Sequence, residues 1–109
     1  MSLTIATVNV NGIRAACKVR NEENMGMLAW LAETPADVVL VQEVRATEEQ
    51  ARAALAPALE RGWRLAVAPA AAKGRAGVCI LSTLPLRDVE VGIPGFEDSG
   101  RFISASLDD

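Results

Sequence analysis

The feature that most constrains this chain is the apolar run at residues 38–41 (VVLV), which continues directly into Gln42 and Glu43. A short, continuous run of branched apolar residues is typical of a strand covered on both faces, such as an inner strand of a helix-flanked sheet. Gln42 and Glu43 then lie at the C-terminal end of this strand, where open α/β sheets bind ligands. Glu43 is therefore either a candidate for chemistry or a solvated residue just past a strand.

A second stretch, residues 7–12 (TVNVNG), also ends an apolar run on polar side chains, Asn9 and Asn11, and its Asn-Gly pair marks a turn. Two inner strands lying side by side would bring Asn9 and Glu43 together. One carboxylate with one or more amides is a hard-oxygen site, which suits Mg²⁺, with Mn²⁺ as an alternative. The other interpretation of Asn9 and Asn11 is ordinary turn chemistry.

Four short motifs occur in order along nearly the whole chain: residues 9–15 (NVNGIRA), 41–45 (VQEVR), 73–82 (KGRAGVCILS) and 100–101 (GR). In order and rough spacing they resemble the N-terminal half of exonuclease III-type apurinic/apyrimidinic endonucleases. Those enzymes belong to the endonuclease/exonuclease/phosphatase superfamily. The resemblance implies a Mg²⁺-dependent phosphodiesterase in DNA base-excision repair, acting on double-stranded DNA at abasic sites or 3′ ends.

The resemblance also suggests roles for individual residues. Glu43 and Asn9 are the candidate catalytic residues, and Glu43, Asn9 and Asn11 are the candidate metal ligands. The candidate contacts to the DNA backbone are four basic side chains, Arg14, Arg45, Lys73 and Arg75. The alternatives are a solvated loop charge for Arg14 and a mobile, solvated hairpin loop for residues 73–77.

Composition excludes several other kinds of site. The net charge of −3 leaves no overall basic surface for nucleic acid, so any phosphate contact requires a local patch or a bound cation. The chain has no histidine, which excludes within it a histidine base or a Ser-His-Asp triad, and two cysteines are too few for a Cys₄ zinc site. Cys17 and Cys79 are expected to be reduced and structural.

No stretch approaches the roughly 20 apolar residues that a membrane-spanning helix needs, and residues 1–4 lack the features of a signal peptide. We therefore expect a cytoplasmic protein without membrane contacts.

Residue patterns predict six strands and two helices. The strands are expected at residues 3–10, 38–41, 63–68, 78–82, 86–91 and 101–107. One helix is expected at residues 21–33, and a second begins at a capping box on Thr47 and extends to Gly62, where Pro57 should kink or shorten it. The first crossover is parallel and the later strands are antiparallel.

We predict an α/β fold: half of a two-sheet α/β sandwich of the DNase I-like kind, with a mixed sheet and two helices on one face. Residues 1–109 would form the N-terminal half of an incomplete domain, because the family's second half supplies a tyrosine, an Asp-x-Asn pair and a Ser-Asp-His sequence that this chain lacks. We expect such a fragment to be inactive alone and to have the missing C-terminal half as a partner. The alternatives are a non-catalytic or split module and a superfamily phosphatase.

Overall fold

The computed structural model describes residues 2–69, 74–95 and 99–108. No helix in these ranges is long and apolar enough to cross a membrane. The elements, in chain order, are β1 (Ile5–Asn9), α1 (Ile13–Ala16), α2 (Met27–Glu33), β2 (Val38–Gln42), α3 (Glu48–Ala54), α4 (Ala56–Glu60), β3 (Arg64–Ala68), β4 (Val78–Ser82), β5 (Leu86–Val91) and β6 (Ile103–Leu107).

The main sheet has four strands in the order β1-β2-β4-β3. β1 and β2 are parallel, whereas β4 is antiparallel to both β2 and β3. The predicted parallel start followed by antiparallel strands is therefore confirmed, and so is the α/β class. Within the described residues β1 is an edge strand rather than an inner one, and its residues alternate between exposed and half-buried.

The core lies between the helices and one face of this sheet. Alternate residues of each strand point to that face, because side chains in a strand have a period of two. The buried residues of the sheet in this core are Val39, Val41, Leu65, Val67, Cys79 and Leu81, and those of the helices are Ile13, Met27, Leu31, Ala51, Leu55 and Ala58.

The opposite face of the sheet is covered only in part. β5 and β6 form a separate antiparallel pair that contacts mainly β3 and β4. As a result Ile80 of β4 is buried, but Leu40 of β2 remains 38% exposed and Ile5 of β1 remains 59% exposed. The expectation that residues 38–41 are covered on both faces thus does not hold at Leu40.

The helices are shorter than the sequence pattern predicted. α2 begins at Met27 instead of residue 21, because the Asn21 side chain accepts hydrogen bonds from the backbone N–H groups of Glu23 and Asn24 and holds this segment in a turn. α3 begins at the expected capping box on Thr47. The predicted second helix is divided at Leu55, and Pro57 lies in the first turn of α4, where its missing N–H costs no hydrogen bond. The short helix α1 was not predicted.

Candidate active site

The parallel pairing of β1 and β2 brings the two polar strand ends together. Asn9 is opposite Gln42 in the register, so the next residue, Glu43, lies beside Asn9. The Asn9 side-chain Nδ2 donates a hydrogen bond to Glu43 Oε2, and Asn9 Oδ1 accepts one from the backbone N–H of Asn11 at 3.0 Å. Asn9 thereby orients the carboxylate of Glu43 and shapes the following turn at the same time.

Arg45 holds the other oxygen of the Glu43 carboxylate. Its Nη2 donates to Glu43 Oε1 at 2.7 Å, and the two side chains are 45% and 36% exposed. The hydrogen bond from Arg45, together with the one from Asn9, lowers the pKa of Glu43. Glu43 is therefore an ionised carboxylate at neutral pH, with hydrogen-bond donors on both oxygens.

The backbone around Glu43 has an uncommon conformation. Glu43 has a φ of 55° and Arg45 a φ of 52°, both in the left-handed region that non-glycine residues rarely adopt. Such conformations persist where the surrounding structure enforces them, and they are concentrated at functional sites.

Two turns enforce this conformation through backbone hydrogen bonds. On one side the N–H groups of Gly12 and Ile13 donate to the carbonyls of Glu43 and Val44, at 2.8 and 2.9 Å. On the other side the N–H of Val44 donates to the carbonyl of Gly77 at 2.9 Å. The Arg45 N–H donates to the carbonyl of Ala76 at 2.8 Å, and the Gly77 N–H donates to the carbonyl of Gly100, also at 2.8 Å. All four sequence motifs therefore meet around Glu43.

A cleft of about 710 Å³ opens beside the Glu43 carboxylate. Its charged lining residues are Glu43, Arg45, Arg75 and Arg101, and the remaining ones are Gln42, Gly74, Ala76, Gly77, Val78 and Gly100. Three arginines around one carboxylate give this cleft a net positive lining in a chain whose net charge is −3. The cleft is thus suited to an anionic ligand such as a phosphate.

The residues present fit a magnesium ion only in part. Among the described residues, no group of three or more His, Cys, Asp or Glu side chains could hold a metal ion. Glu43 supplies one hard oxygen ligand, whereas Asn9 faces Glu43 with its amide nitrogen and its Oδ1 accepts the N–H of Asn11. Because Mg²⁺ keeps several waters and is commonly bound through one or two carboxylates plus substrate phosphates, this donor set is compatible with one side of such a site.

The remaining predicted site residues have different positions. Arg75 lines the cleft with Arg45. Arg14 donates from Nη2 to the backbone carbonyl of Arg45 at 3.3 Å and does not itself line the cleft. Asn11, with a φ of 48°, lies in the turn after β1 and lines a separate cleft next to Asn9. Lys73 lies outside the described residues.

The sequence prediction omitted two contributors to the site. Arg101 lines the cleft but was not among the candidate DNA contacts, although the motif at residues 100–101 included it. The backbone of Ala76 and Gly77 holds the segment after Glu43. The paired glycines in KGRAG were the available signal, but they do not reveal which segment the turn contacts.

Residues 6–104 match the family model described as Endonuclease/Exonuclease/phosphatase family. The chain belongs to this family. No curated protein matches it.

Solved structures of an AP endonuclease, a 3′ phosphatase and a 3′-5′ exonuclease have the same fold. An AP endonuclease from Archaeoglobus fulgidus has a TM-score of 0.77 and 29% identity, over 97% of this chain and 37% of that one. The 3′ phosphatase NExo from Neisseria, bound to a product DNA hairpin, has a TM-score of 0.70 and 26% identity, over 97% and 38% of the two chains. The 3′-5′ exonuclease NExo from Neisseria meningitidis has a TM-score of 0.67 and 26% identity, over 98% and 38%. This chain spans a little over a third of the length of these family structures.

Proposed function

We propose that this chain is the N-terminal part of an exonuclease III-type DNA phosphodiesterase that depends on Mg²⁺, or alternatively Mn²⁺, and acts at abasic sites or 3′ ends in DNA repair. The observation that carries the proposal is the convergence of all four motifs on Glu43, beside a cleft with three arginines. We further propose a cytoplasmic location.

In this proposal Glu43 is the principal metal ligand, and Asn9 helps to hold the metal site by orienting the carboxylate. When bound, the ion would supply positive charge for the phosphate oxygens and for activating or positioning the nucleophile. The cations Arg45 and Arg75 line the cleft and would hold the DNA backbone without reading bases. Arg14, which donates to the backbone carbonyl of Arg45, would assist them.

The chain lacks several groups that attack on a phosphodiester requires. Besides a cation on the non-bridging oxygens, the reaction needs an oriented water and help for the leaving oxygen. The chain has no histidine and no tyrosine, and Glu43 is the only carboxylate that lines the cleft among the described residues. We therefore propose that residues 1–109 are the N-terminal half of a domain and have no nuclease activity alone, since losing groups that act as a unit typically costs several orders of magnitude in rate.

A second candidate is a non-catalytic or split module that works by joining a complementary half. The observation in its favour is the incompletely covered sheet face, where Ile5 and Leu40 are exposed. Apolar residues on a sheet face are usually covered by another layer of structure. This candidate and the nuclease differ in whether the assembled protein cleaves DNA.

The test uses a chimera in which this chain replaces the matching third of the Archaeoglobus fulgidus AP endonuclease. Duplexes with an abasic site, a recessed 3′ end or a 3′ phosphate are incubated with the chimera or with this chain alone, with and without Mg²⁺. We expect Mg²⁺-dependent cleavage by the chimera, no cleavage by the chain alone, and loss of activity in the Glu43→Gln chimera with the fold retained. A Glu60→Gln chimera, altered at an exposed residue of α4, is the matched control.

Release of phosphate from the 3′-phosphate duplex alone would favour a superfamily phosphatase over a nuclease. A folded chimera that cleaves nothing would favour the non-catalytic module. Cleavage by the chain alone, abolished by Glu43→Gln, would show that the catalytic set is smaller than we propose.

A further inference from the structure

The turn at Ala76 and Gly77 is hydrogen-bonded to the backbone of the segment that follows Glu43. Gly77 is buried, has a φ of 90°, accepts a hydrogen bond from the Val44 N–H and donates one to the Gly100 carbonyl. Ala76, with a φ of 50°, accepts the Arg45 N–H. This turn therefore links the Glu43 segment to the loop that carries Arg101.

A side chain at Gly77 would make unusually tight contacts with its neighbours. A Cβ at this position would lie 3.3 Å from the backbone nitrogen of Arg45 and 3.3 Å from the Cβ of Val44. Val44 is fully buried and cannot retreat without displacing the packed core. A Cβ would therefore push the turn and residues 44–45 apart by a few tenths of an ångström and would also be strained at this φ.

Such a displacement would reach Glu43 through the backbone. Residues 43–45 are fixed between the Gly12-Ile13 turn and the Ala76-Gly77 turn, and two of them are in the left-handed conformation. If one of the two turns moved, the left-handed conformations of Glu43 and Arg45 would lose some of the backbone hydrogen bonds that enforce them. This loss would loosen the hydrogen bonds that hold the Glu43 side chain between Asn9 and Arg45.

We propose that Gly77 is a positioning residue for the Glu43 carboxylate. The missing side chain of Gly77 lets the turn seat against Val44 and Arg45, and this contact fixes the direction in which Glu43 points. The role of Gly77 deepens the proposed function, because it rests on Glu43 as the metal ligand.

The test compares Gly77→Ala with Gly62→Ala in the 109-residue chain. Gly62 is the matched control, because its φ of 109° also strains an alanine, but a Cβ there would meet no heavy atom within 4 Å apart from its chain neighbours. Mn²⁺ affinity is measured by electron paramagnetic resonance, the exchange of single backbone amides by NMR, and the environment of Glu43 by its carboxyl ¹³C shift.

We expect Gly77→Ala to weaken Mn²⁺ binding by about tenfold, the lower end of the effect of losing a group that orients a metal ligand. The amides of Val44 and Arg45 should lose protection and the Glu43 carboxyl shift should move. Gly62→Ala should change none of the three. Both variants are measured in sucrose, which favours the folded state, so that a general loss of stability does not obscure the result.

Wild-type values of all three observables in Gly77→Ala overturn the proposal. So does equal behaviour of the two variants, or a Gly77→Ala chain that stays unfolded in sucrose where Gly62→Ala folds, because Gly77 would then serve stability alone. If the wild-type chain binds no Mn²⁺, the proposed metal site fails separately. In that case a selective change at Glu43, Val44 and Arg45 still supports the positioning role.

Discussion

At the scale of single residues, the chemistry of the site is concentrated on one carboxylate. Glu43 receives a hydrogen bond on each oxygen, one from Asn9 and one from Arg45. The pair with Arg45 is exposed, and exposed ion pairs contribute little to stability. Its importance is therefore orientation and charge at the cleft rather than support of the fold.

Glu43→Gln should reduce divalent metal binding while leaving the fold intact. The wild-type chain should itself bind Mg²⁺ weakly, because a site with one carboxylate leaves most coordination positions to water. The amide keeps the size of the side chain but removes its charge. Losing a group that only orients a metal ligand already lowers metal affinity by about tenfold, so the loss of the ligand charge should lower Mn²⁺ affinity by at least that much. Calorimetry measures the binding, and circular dichroism checks the fold. Unchanged affinity in Glu43→Gln, with Glu60→Gln as control, would exclude Glu43 as the principal ligand.

The two cysteines should be unreactive in the folded chain. Both are free, and burial raises the pKa of Cys17 to about 11 and that of Cys79 to about 12. Since the thiolate is the nucleophile and the ordinary pKa is 9.0, Cys17 should react about a hundredfold more slowly with a disulfide reagent at pH 7.5 in the native state than in urea. Cys79 should be slower still. Equal rates in native and unfolded protein would contradict this prediction.

These raised pKa values also determine how stability depends on alkaline pH. A thiol whose pKa is raised in the folded state contributes stability that is fully present below the ordinary value near 9 and is lost as pH rises towards 11 and 12.

At the scale of elements, α3 supports the site through its contacts with α1. It packs against α1, which begins at Ile13 directly after the turn that contacts Glu43. Ala51 in the middle of α3 and Leu55 directly after its last residue are fully buried in the core. The start of α3 depends on its capping box, in which Thr47 and Gln50 each bond the backbone of the other.

Thr47→Ala should destabilise the chain by about 1 kcal/mol, because it leaves the Gln50 N–H without its side-chain acceptor at the helix start. Urea unfolding measures the change. Glu60→Ala, at an exposed residue of α4, should stay within about 0.5 kcal/mol of wild type. A Thr47→Ala value no larger than that of the control would show that α3 is held by packing alone.

At the scale of the whole molecule, charge is distributed unevenly. The chain carries 14 acidic and 11 basic residues, yet three arginines line the cleft beside Glu43. A ligand with several phosphates would therefore be attracted locally while the rest of the surface repels it. The proposed contacts are sequence-independent, so their contribution should depend strongly on salt.

Neutralising Arg14, Arg45, Lys73 or Arg75 to glutamine should weaken binding of duplex DNA by the chimera about equally for all sequences. Wherever the substituted side chain binds a phosphate, the magnitude of the slope of log K against log salt should fall by about 0.9. Fluorescence anisotropy at several salt concentrations measures the slope, with the exposed Arg61→Gln as control. Four unchanged slopes would identify these side chains as solvated charges, and sequence-dependent losses would indicate base readout.

The order and approximate bounds of all six strands followed from the sequence alone, as did the placement of Asn9 and Glu43 at neighbouring strand ends. These features depend on local periodicity and on the order strand, helix, strand, which predicts that the first two strands are parallel. The capping box on Thr47 was equally local. The start of α2 was misplaced because competition from the Asn21 side chain outweighs the acidic residues that favour a helix start.

Only the tertiary structure decided how the site is held together. The ion pair of Arg45 with Glu43, the left-handed conformation of both residues and the contact of Gly77 with Val44 depend on backbone hydrogen bonds between turns more than 30 residues apart. No local pattern encodes such contacts, because the φ of Glu43 is set by turns that reach it from other parts of the chain. The sequence by itself determined which carboxylate lies at the strand end, and the packing of the turns decided where that carboxylate points.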